Sequence, residues 1–330
     1  MTGRRVIGGE GMPPDSTTMK AAICPRYGPP EVLRIEEVAR PSPHRREVLV
    51  KIHASTVNSS DCFTRSGLPG GPLTMRMMMR LVVGFTGPRQ PILGLVFAGE
   101  VKEAGGAAER FRPGTRVYAF TMYHFGGYAQ YTCLPETAII GHAPSNLSYE
   151  EAAAIPYGGL LALHFLRRAG IREGLRTLIY GASGAVGTSA VQIARHLGAQ
   201  VTAVCGPANL NLVRSLGAGV AIDYTKQHTL PAGARYDLVL DAVGKRKTSP
   251  LKAACKAAIE PDGTYLSVDD GAPKLSARDL DHLTNLAETG ELKPVIDRSF
   301  PLEQIAQAHR YVEGEHKSGS VVVTIAHEAE

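Results

Sequence analysis

No run of apolar residues in the chain approaches the roughly 18–20 needed to cross a bilayer as a helix. The best stretch, 75–85, is short and broken by Arg76 and Arg80. No membrane span is expected. No secretory leader is expected either, because Arg4 and Arg5 are followed by no apolar core. Cysteines are few: five, at 24, 62, 133, 205 and 255, widely spaced and without a CxxC pair. Reduced thiols of a cytoplasmic protein fit that pattern, whereas a zinc site of close-set cysteines does not. A concentrated basic face is also lacking. The net charge is +5, and the densest basic runs, 40–46 and 245–247, are short. Nucleic acid is therefore not an expected partner.

What is present is an ordinary globular balance. The chain has 330 residues, 44% hydrophobic and 20% charged, enough for two domains with buried cores. Residues 1–18 are rich in Gly, Pro, Ser and Thr and read as a disordered extension. The first third is β-rich: 47–53 alternates, and 94–101 and 114–120 are short apolar runs between Gly and Pro. Residues 150–168 carry apolar side chains at helical spacing, interrupted by Pro156, Gly158 and Gly159. Strands at 177–180, 200–205, 220–223, 236–241 and 263–268 then alternate with helices at 187–197, 208–216 and 249–259. Such alternation makes a parallel sheet with helices on its faces. The tail returns to strand at 320–325. The expected division is a β-rich domain of residues 19–145 and 295–330 around a parallel α/β domain of residues 146–294, with the active site in the cleft between them.

The strand at 177–180 runs into Gly181-Ala182-Ser183-Gly184-Ala185-Val186-Gly187, which opens a helix. The glycines permit a tight turn and close approach of the backbone to phosphate, and the helix start offers free N–H groups to a pyrophosphate. A packing turn is the bland alternative; the strand–loop–helix context favours a dinucleotide. Sites for NAD usually end the second strand with an acid that binds the ribose 2′-hydroxyl. Here that strand ends Val204-Cys205-Gly206-Pro207-Ala208-Asn209, without an acid. NADP(H) is thus favoured, its 2′-phosphate falling to Asn209, Tyr224 and Arg214, since no Arg or Lys stands at the turn. Against this, Asn209 reads equally as a helix cap and Arg214 as a solvated side chain.

With these residues in place the chain resembles the zinc-independent medium-chain dehydrogenases/reductases, close to the quinone oxidoreductases. The resemblance spans 19–325. Its landmarks include Met19-Lys20-Ala21, Val57-Asn58-Ser59-Ser60-Asp61, Phe125-Gly126-Gly127-Tyr128, Ala154-Ile155-Pro156, the glycine loop, Asp241-Ala242-Val243-Gly244 and Gly319-Ser320-Val321. It implies an α/β plus β fold: a GroES-like β-domain with a Rossmann domain. It also implies cofactor contacts at Cys205, Ala242, Val243, Ser267 and Ser320. Zinc-dependent relatives carry Cys where this chain has Asn58, and His-Glu where it has Leu95-Val96. Asn and Leu cannot replace thiolate and imidazole as ligands, so no metal is expected.

Without a Lewis acid, a conjugated acceptor is the easier target, because a quinone or an α,β-unsaturated carbonyl spreads the incoming charge. The expected activity is NADPH-dependent reduction of such a small apolar substrate. Alternatives are an enoyl-thioester or tailoring reductase on the same fold, and a catalytically idle NADPH-binding protein. Asn58, Asp61 and Tyr123 are the catalytic candidates. Asn58 would donate to substrate or cofactor ribose, while Asp61 has a structural alternative, holding its loop or Arg65. Many quinone oxidoreductases have a tyrosine where this chain has Phe63; Tyr123, His124 and Tyr157 are substitutes for that hydroxyl. Leu161 and Ser320 also depart from the family, standing for a threonine and a lysine. The methionine-rich segment 73–83 reads as pocket lining or as core. Lys245-Arg246-Lys247 reads as a solvated loop or as attraction for an anionic cofactor. His309 and His316 read as surface or helix-end residues. Finally, Ser267-Val268-Asp269-Asp270-Gly271 runs almost directly into the helix at 276–288, so the Rossmann sheet is expected to lack its last strand. The dimer that relatives form by pairing that strand is then not expected.

Overall fold

Residues 17–67, 77, 80–245, 248–314 and 317–327 are described by the computed structural model of the chain. The expected extension falls outside these apart from Thr17 and Thr18, as do Arg246, Lys247, His316 and most of the methionine run.

Alternating and β-branched sequence in the first third forms strands, as such residues fit a pleated, half-buried surface. A two-stranded antiparallel pair, β1 (Thr18–Ile23) and β2 (Arg34–Ala39), precedes the main β-sheet. That sheet is built on the long β3 (Glu47–Val57), followed by β4 (Val96–Ala104), β5 (Arg116–Phe120), β6 (Tyr131–Pro135) and β7 (Ile139–His142). Gly99 lets β3 and β4 approach: a Cβ there would lie 2.1 Å from the Lys51 carbonyl oxygen.

The second sheet is parallel: β8 (Arg176–Tyr180), β9 (Gln200–Cys205), β10 (Val220–Asp223), β11 (Tyr236–Asp241) and β12 (Ile259–Ser267). Among the described residues its order is β10-β9-β8-β11-β12. The sheet therefore holds five strands, as the short run after Ser267 implies. The order reverses between β8 and β11, and ligands of open α/β sheets bind at the carboxyl ends of strands flanking such a point. The last strands, β13 (Ile296–Pro301) and β14 (Ser320–Thr324), return to the first sheet, whose order is β13-β14-β3-β4-β5-β7, with β6 also paired to β3.

The helical stretch at 150–168 is divided. A short helix, Tyr149–Ala153, starts in a capping box between Ser148 and Glu151, and a second, Pro156–Arg168, begins at Pro156. Proline lacks the N–H that an interior helix position needs but is well suited to the first turn. Helix Pro156–Arg168 packs on the glycine-loop helix, Ala185–His196, and on helix Ala277–Glu288. From that last helix the Leu280 carbonyl accepts the Tyr118 hydroxyl at 2.7 Å. Buried side chains of both sheets and these helices form one continuous apolar core.

Where it is described, the methionine-rich segment buries Val83, 5% exposed, and turns its other apolar residues outward. Met77, Leu81, Val82 and Phe85 are all more than half exposed.

Candidate active site

The glycine loop lies at the carboxyl end of β8. Gly181 takes a left-handed conformation (φ +80°), and a Cβ on it would meet Val243 Cγ2 at 2.4 Å. The N–H groups of Gly181 and Ala182 are bound by the Val204 carbonyl at 3.0 and 2.9 Å. Gly187 presses on the same turn, its imagined Cβ 2.2 Å from the Gly181 oxygen. Ala182, Val186 and Gly187 are buried and form the floor, while Gly181, Ser183, Gly184 and Ala185 reach the surface. Gly184 is the N-cap of the helix and no side chain caps it. A Cβ on Gly184 would meet only the Gly181 oxygen, at 3.8 Å. The space above Gly184 is thus left open by the protein, at a helix start with uncapped N–H groups, and it fits a pyrophosphate.

Other expected cofactor residues gather at the same edge. Val243 follows β11 and is partly exposed, and the Ala242 N–H donates to the Tyr180 carbonyl at 2.9 Å. Ser267 ends β12 fully buried, and its N–H donates to Asp270. Cys205 ends β9 with its thiol buried and pushed up to about 11, mainly by desolvation. Tyr224 is exposed beside Gly206. Asn209 caps nothing; its Oδ1 accepts the Ser318 hydroxyl at 2.7 Å. An acid does stand next to the end of β9: Asp223 of β10 pairs with Cys205, and its Oδ1 accepts the N–H and hydroxyl of Thr225. Arg214 donates to Asn211, at 3.4 Å.

The tail straps this loop to the β-domain. Gly319 bridges Gly184, its N–H donating to the Ser183 carbonyl at 2.7 Å, and the Ser320 hydroxyl donates to the Ala154 carbonyl. Two residues on, Val321 pairs with Val57, the residue before Asn58. In this register Asn58 follows the Val57–Val321 pair, two residues along the chain from the Gly319 bridge to Gly184. Sequence reasoning missed Lys317 and Ser318, whose signal was adjacency to Gly319. Lys317 donates to the Gly319 carbonyl, and burial lowers its pKa to about 8.

Asn58 is 4% exposed and caps helix Ser59–Arg65. Its Oδ1 accepts the N–H groups of Ser60 and Asp61 at 2.9 and 3.2 Å, which fixes the amide plane. Nδ2 then has no hydrogen-bond partner among the described residues. It lies near enough to the Asp61 carboxylate to help hold its pKa down, without bonding geometry. Asp61 is fully buried. Its oxygens accept the N–H groups of Asn58 (3.0 Å) and Leu95 (3.1 Å), so it holds the loop. Arg65 is not its partner. That buried guanidinium donates instead to the Gly28 carbonyl, to Glu313 and to His309 Nδ1. Tyr123 stands in solvent, 58% exposed, in a turn whose neighbours Met122 and Phe125 have positive φ. Tyr157 is the tyrosine that meets the site: its hydroxyl shares hydrogen bonds with Ser60 (3.0 Å) and Ser59 (3.4 Å). Lys245 pairs with Asp270.

His309 is a correction. Helix Ile305–Glu313 buries Ile305, Ala308, His309 and Val312, spacings that share one face, so His309 lies inside rather than at the surface. Burial lowers its pKa to about 3, and that of His53, stacked on Tyr149, to about 4. The unfolded chain therefore binds more protons than the folded one between these values and 6.5, and stability falls as pH drops through that window. Asp61, raised to about 7 by desolvation, acts in the opposite sense, removing stability as pH rises from 3.8 to 7. His309→Asn keeps an acceptor for Arg65 without the titration. Thermal unfolding at about pH 5 and about pH 7 should show a smaller acid loss in this variant than in the wild type.

A parallel sheet with a phosphate-type glycine loop, strapped to a β-domain, is the architecture of an NAD(P)H-dependent oxidoreductase. Family comparisons agree. Residues 44–144 match the alcohol dehydrogenase GroES-like domain, and 185–283 and 270–323 match zinc-binding dehydrogenase regions. The mouse protein "NAD(P)H oxidoreductase RTN4IP1, mitochondrial" is 32% identical over 94% of this chain and 90% of its own. The Arabidopsis thaliana "NADPH-dependent alkenal/one oxidoreductase, chloroplastic" is 30% identical over 92% of this chain and 79% of its own. The solved quinone oxidoreductase from Coxiella burnetii superposes with a TM-score of 0.82 at 26% identity, covering 94% of this chain and all of that one. The chain belongs to the medium-chain dehydrogenase/reductase family.

Proposed function

We propose that the protein reduces a quinone or an α,β-unsaturated carbonyl with NADPH and without zinc. The carrying observation is Asn58: a buried amide whose orientation is set by its helix-capping bonds, with an Nδ2 donor that has no hydrogen-bond partner among the described residues. A buried donor without a partner is costly unless a ligand satisfies it. When bound, NADPH supplies a hydride. The 181–187 loop and the uncapped helix start would hold the pyrophosphate, Val243 bounds the loop, and Tyr224 and Asn209 are the groups offered to a 2′-phosphate. Asn58 Nδ2 donates to the substrate oxygen as charge gathers there. Asp61 positions Asn58 through the capping box. The absence of an acid on β9 itself supports NADPH over NADH, although the neighbouring Asp223 gives only its Oδ1 to Thr225 and keeps Oδ2 without a partner among the described residues.

Zinc independence rests on residues. Asn58 is committed to its cap, Leu95-Val96 offers no ligand, and among the described residues no three His, Cys, Asp or Glu side chains cluster. All five cysteines are free thiols, which supports a reducing compartment such as the cytoplasm. The test is NADPH oxidation against a panel of quinones and enones, with and without a chelator. Turnover is expected to be indifferent to the chelator and faster with NADPH than with NADH. Loss of turnover on chelation would overturn the zinc-free reading.

A further inference from the structure

We propose that Tyr157 is the proton donor of this site, with Ser60 and Ser59 as its path to solvent; this rests on the reductase reading above. Three placements carry the assignment. Tyr157 opens helix Pro156–Arg168 one residue before Gly158, where a Cβ would lie 2.2 Å from the Ala185 carbonyl oxygen. The Gly158 backbone is thereby held against the first turn of the glycine-loop helix, with Tyr157 next to it in sequence. Its hydroxyl is 3.0 Å from Ser60 Oγ, and the Ser60 N–H is itself bound by Asn58 Oδ1. The phenol is therefore joined through Ser60 to the helix start that Asn58 caps. Ser59, 3.4 Å from the same hydroxyl, is exposed, which completes a hydroxyl chain from cleft to water. The ring is stacked on Phe120 with centroids 6.2 Å apart, which fixes its direction. Burial raises the Tyr157 pKa, so the group stays protonated and able to donate at neutral pH. Neither other tyrosine-type candidate competes: Phe63 has no hydroxyl, and Tyr123 points to solvent without a partner among the described residues.

The step balances as follows. Once the β-carbon of an enone has taken a hydride from NADPH, the alkene electron pair has moved toward the carbonyl oxygen and the substrate is an enolate. The Tyr157 O–H bond breaks and its proton forms a new O–H bond on that oxygen. The resulting enol becomes the saturated ketone, and the phenolate regains a proton from solvent through Ser60 and Ser59. NADPH is oxidised by two electrons, and the alkene is reduced by the same two.

The test is Tyr157→Phe with two acceptor classes. On oxygen, an enolate and a hydroquinone anion are bases of similar, phenolate-like strength, so one acid serves both. Tyr157→Phe should lower kcat on enones and on quinones alike, roughly 100-fold, and leave the KM for NADPH unchanged. Ser60→Ala, which keeps the phenol, should lower enone kcat about tenfold. A binding readout is independent of turnover. The para-nitrophenolate anion, a planar mimic of the enolate followed by its own absorbance, should bind the Tyr157→Phe protein about tenfold more weakly, having lost a hydrogen bond to a charged oxygen. Wild-type rates on either acceptor class in Tyr157→Phe would overturn the proposal. Absence of NADPH consumption by the wild type with every acceptor would instead overturn the reductase reading on which it rests.

Discussion

Gly187→Ala should abolish measurable NADPH binding and destabilise the fold, while Gly184→Ala should impair binding alone. The contrast comes from what each new methyl would touch. At 187 a Cβ would lie 2.2 Å from the Gly181 oxygen and 2.6 Å from Ala182 Cα. Both are backbone atoms in a turn pinned to Val204, so relief requires moving the loop itself. Overpacking of this sort costs about 1–3 kcal/mol, and the displaced loop no longer presents its N–H groups. At 184 the only neighbour is 3.8 Å away, ordinary contact, and the residue already has an extended conformation open to any side chain. A methyl there offends no protein atom and occupies only space facing solvent or ligand. Titration of NADPH fluorescence together with thermal unfolding checks both. A Gly184→Ala protein with wild-type affinity would mean the pyrophosphate does not sit there.

Asn58→Ser should lower kcat/KM by roughly 100- to 1000-fold, the usual effect of removing one donor to a developing oxyanion. Ser is as good an N-cap as Asn, so the cap on helix Ser59–Arg65 survives. The Nδ2 donor does not. The melting temperature should therefore stay near that of the wild type while turnover falls. Asn58→Leu, which removes cap and donor together, should lose about 1 kcal/mol of stability as well. Steady-state kinetics on the best acceptor, paired with thermal melts, separates the two roles. Full activity in Asn58→Ser would remove Asn58 from the reaction.

The parallel sheet was legible because each of its strands is a short apolar run followed by a periodic segment. The end of β12 was equally legible, since too few residues remain between Ser267 and helix Ala277–Glu288 for another strand–helix pair. The glycine loop could be read because its spacing, preceding strand and following helix agree. What escaped is long-range. That Gly319 crosses to Ser183, that Ser318 takes the Asn209 side chain, and that Arg65 passes over Asp61 for Glu313 follow from the docking of elements far apart in sequence. His309 looked like a surface residue because a histidine near a helix end normally is one; only the neighbouring Ile305, Ala308 and Val312 marked its face as buried. Tyr157 and Tyr123 could not be ranked by type. Their difference is a turn with two positive-φ residues, which accompanies a Tyr123 side chain standing in solvent, and a tight Gly158 contact that holds Tyr157 in the site.

The central claim is hydride delivery to a conjugated carbon by a zinc-free site. It is tested most directly with NADPH deuterated at its transferable position, an enone substrate, and protein stripped by chelator and checked for metal. The account predicts one deuterium at the β-carbon, a solvent-derived hydrogen at the α-carbon, and a rate equal to that of untreated protein. Deuterium at the carbonyl carbon, giving an alcohol, or a rate that returns only when zinc is restored, would contradict it.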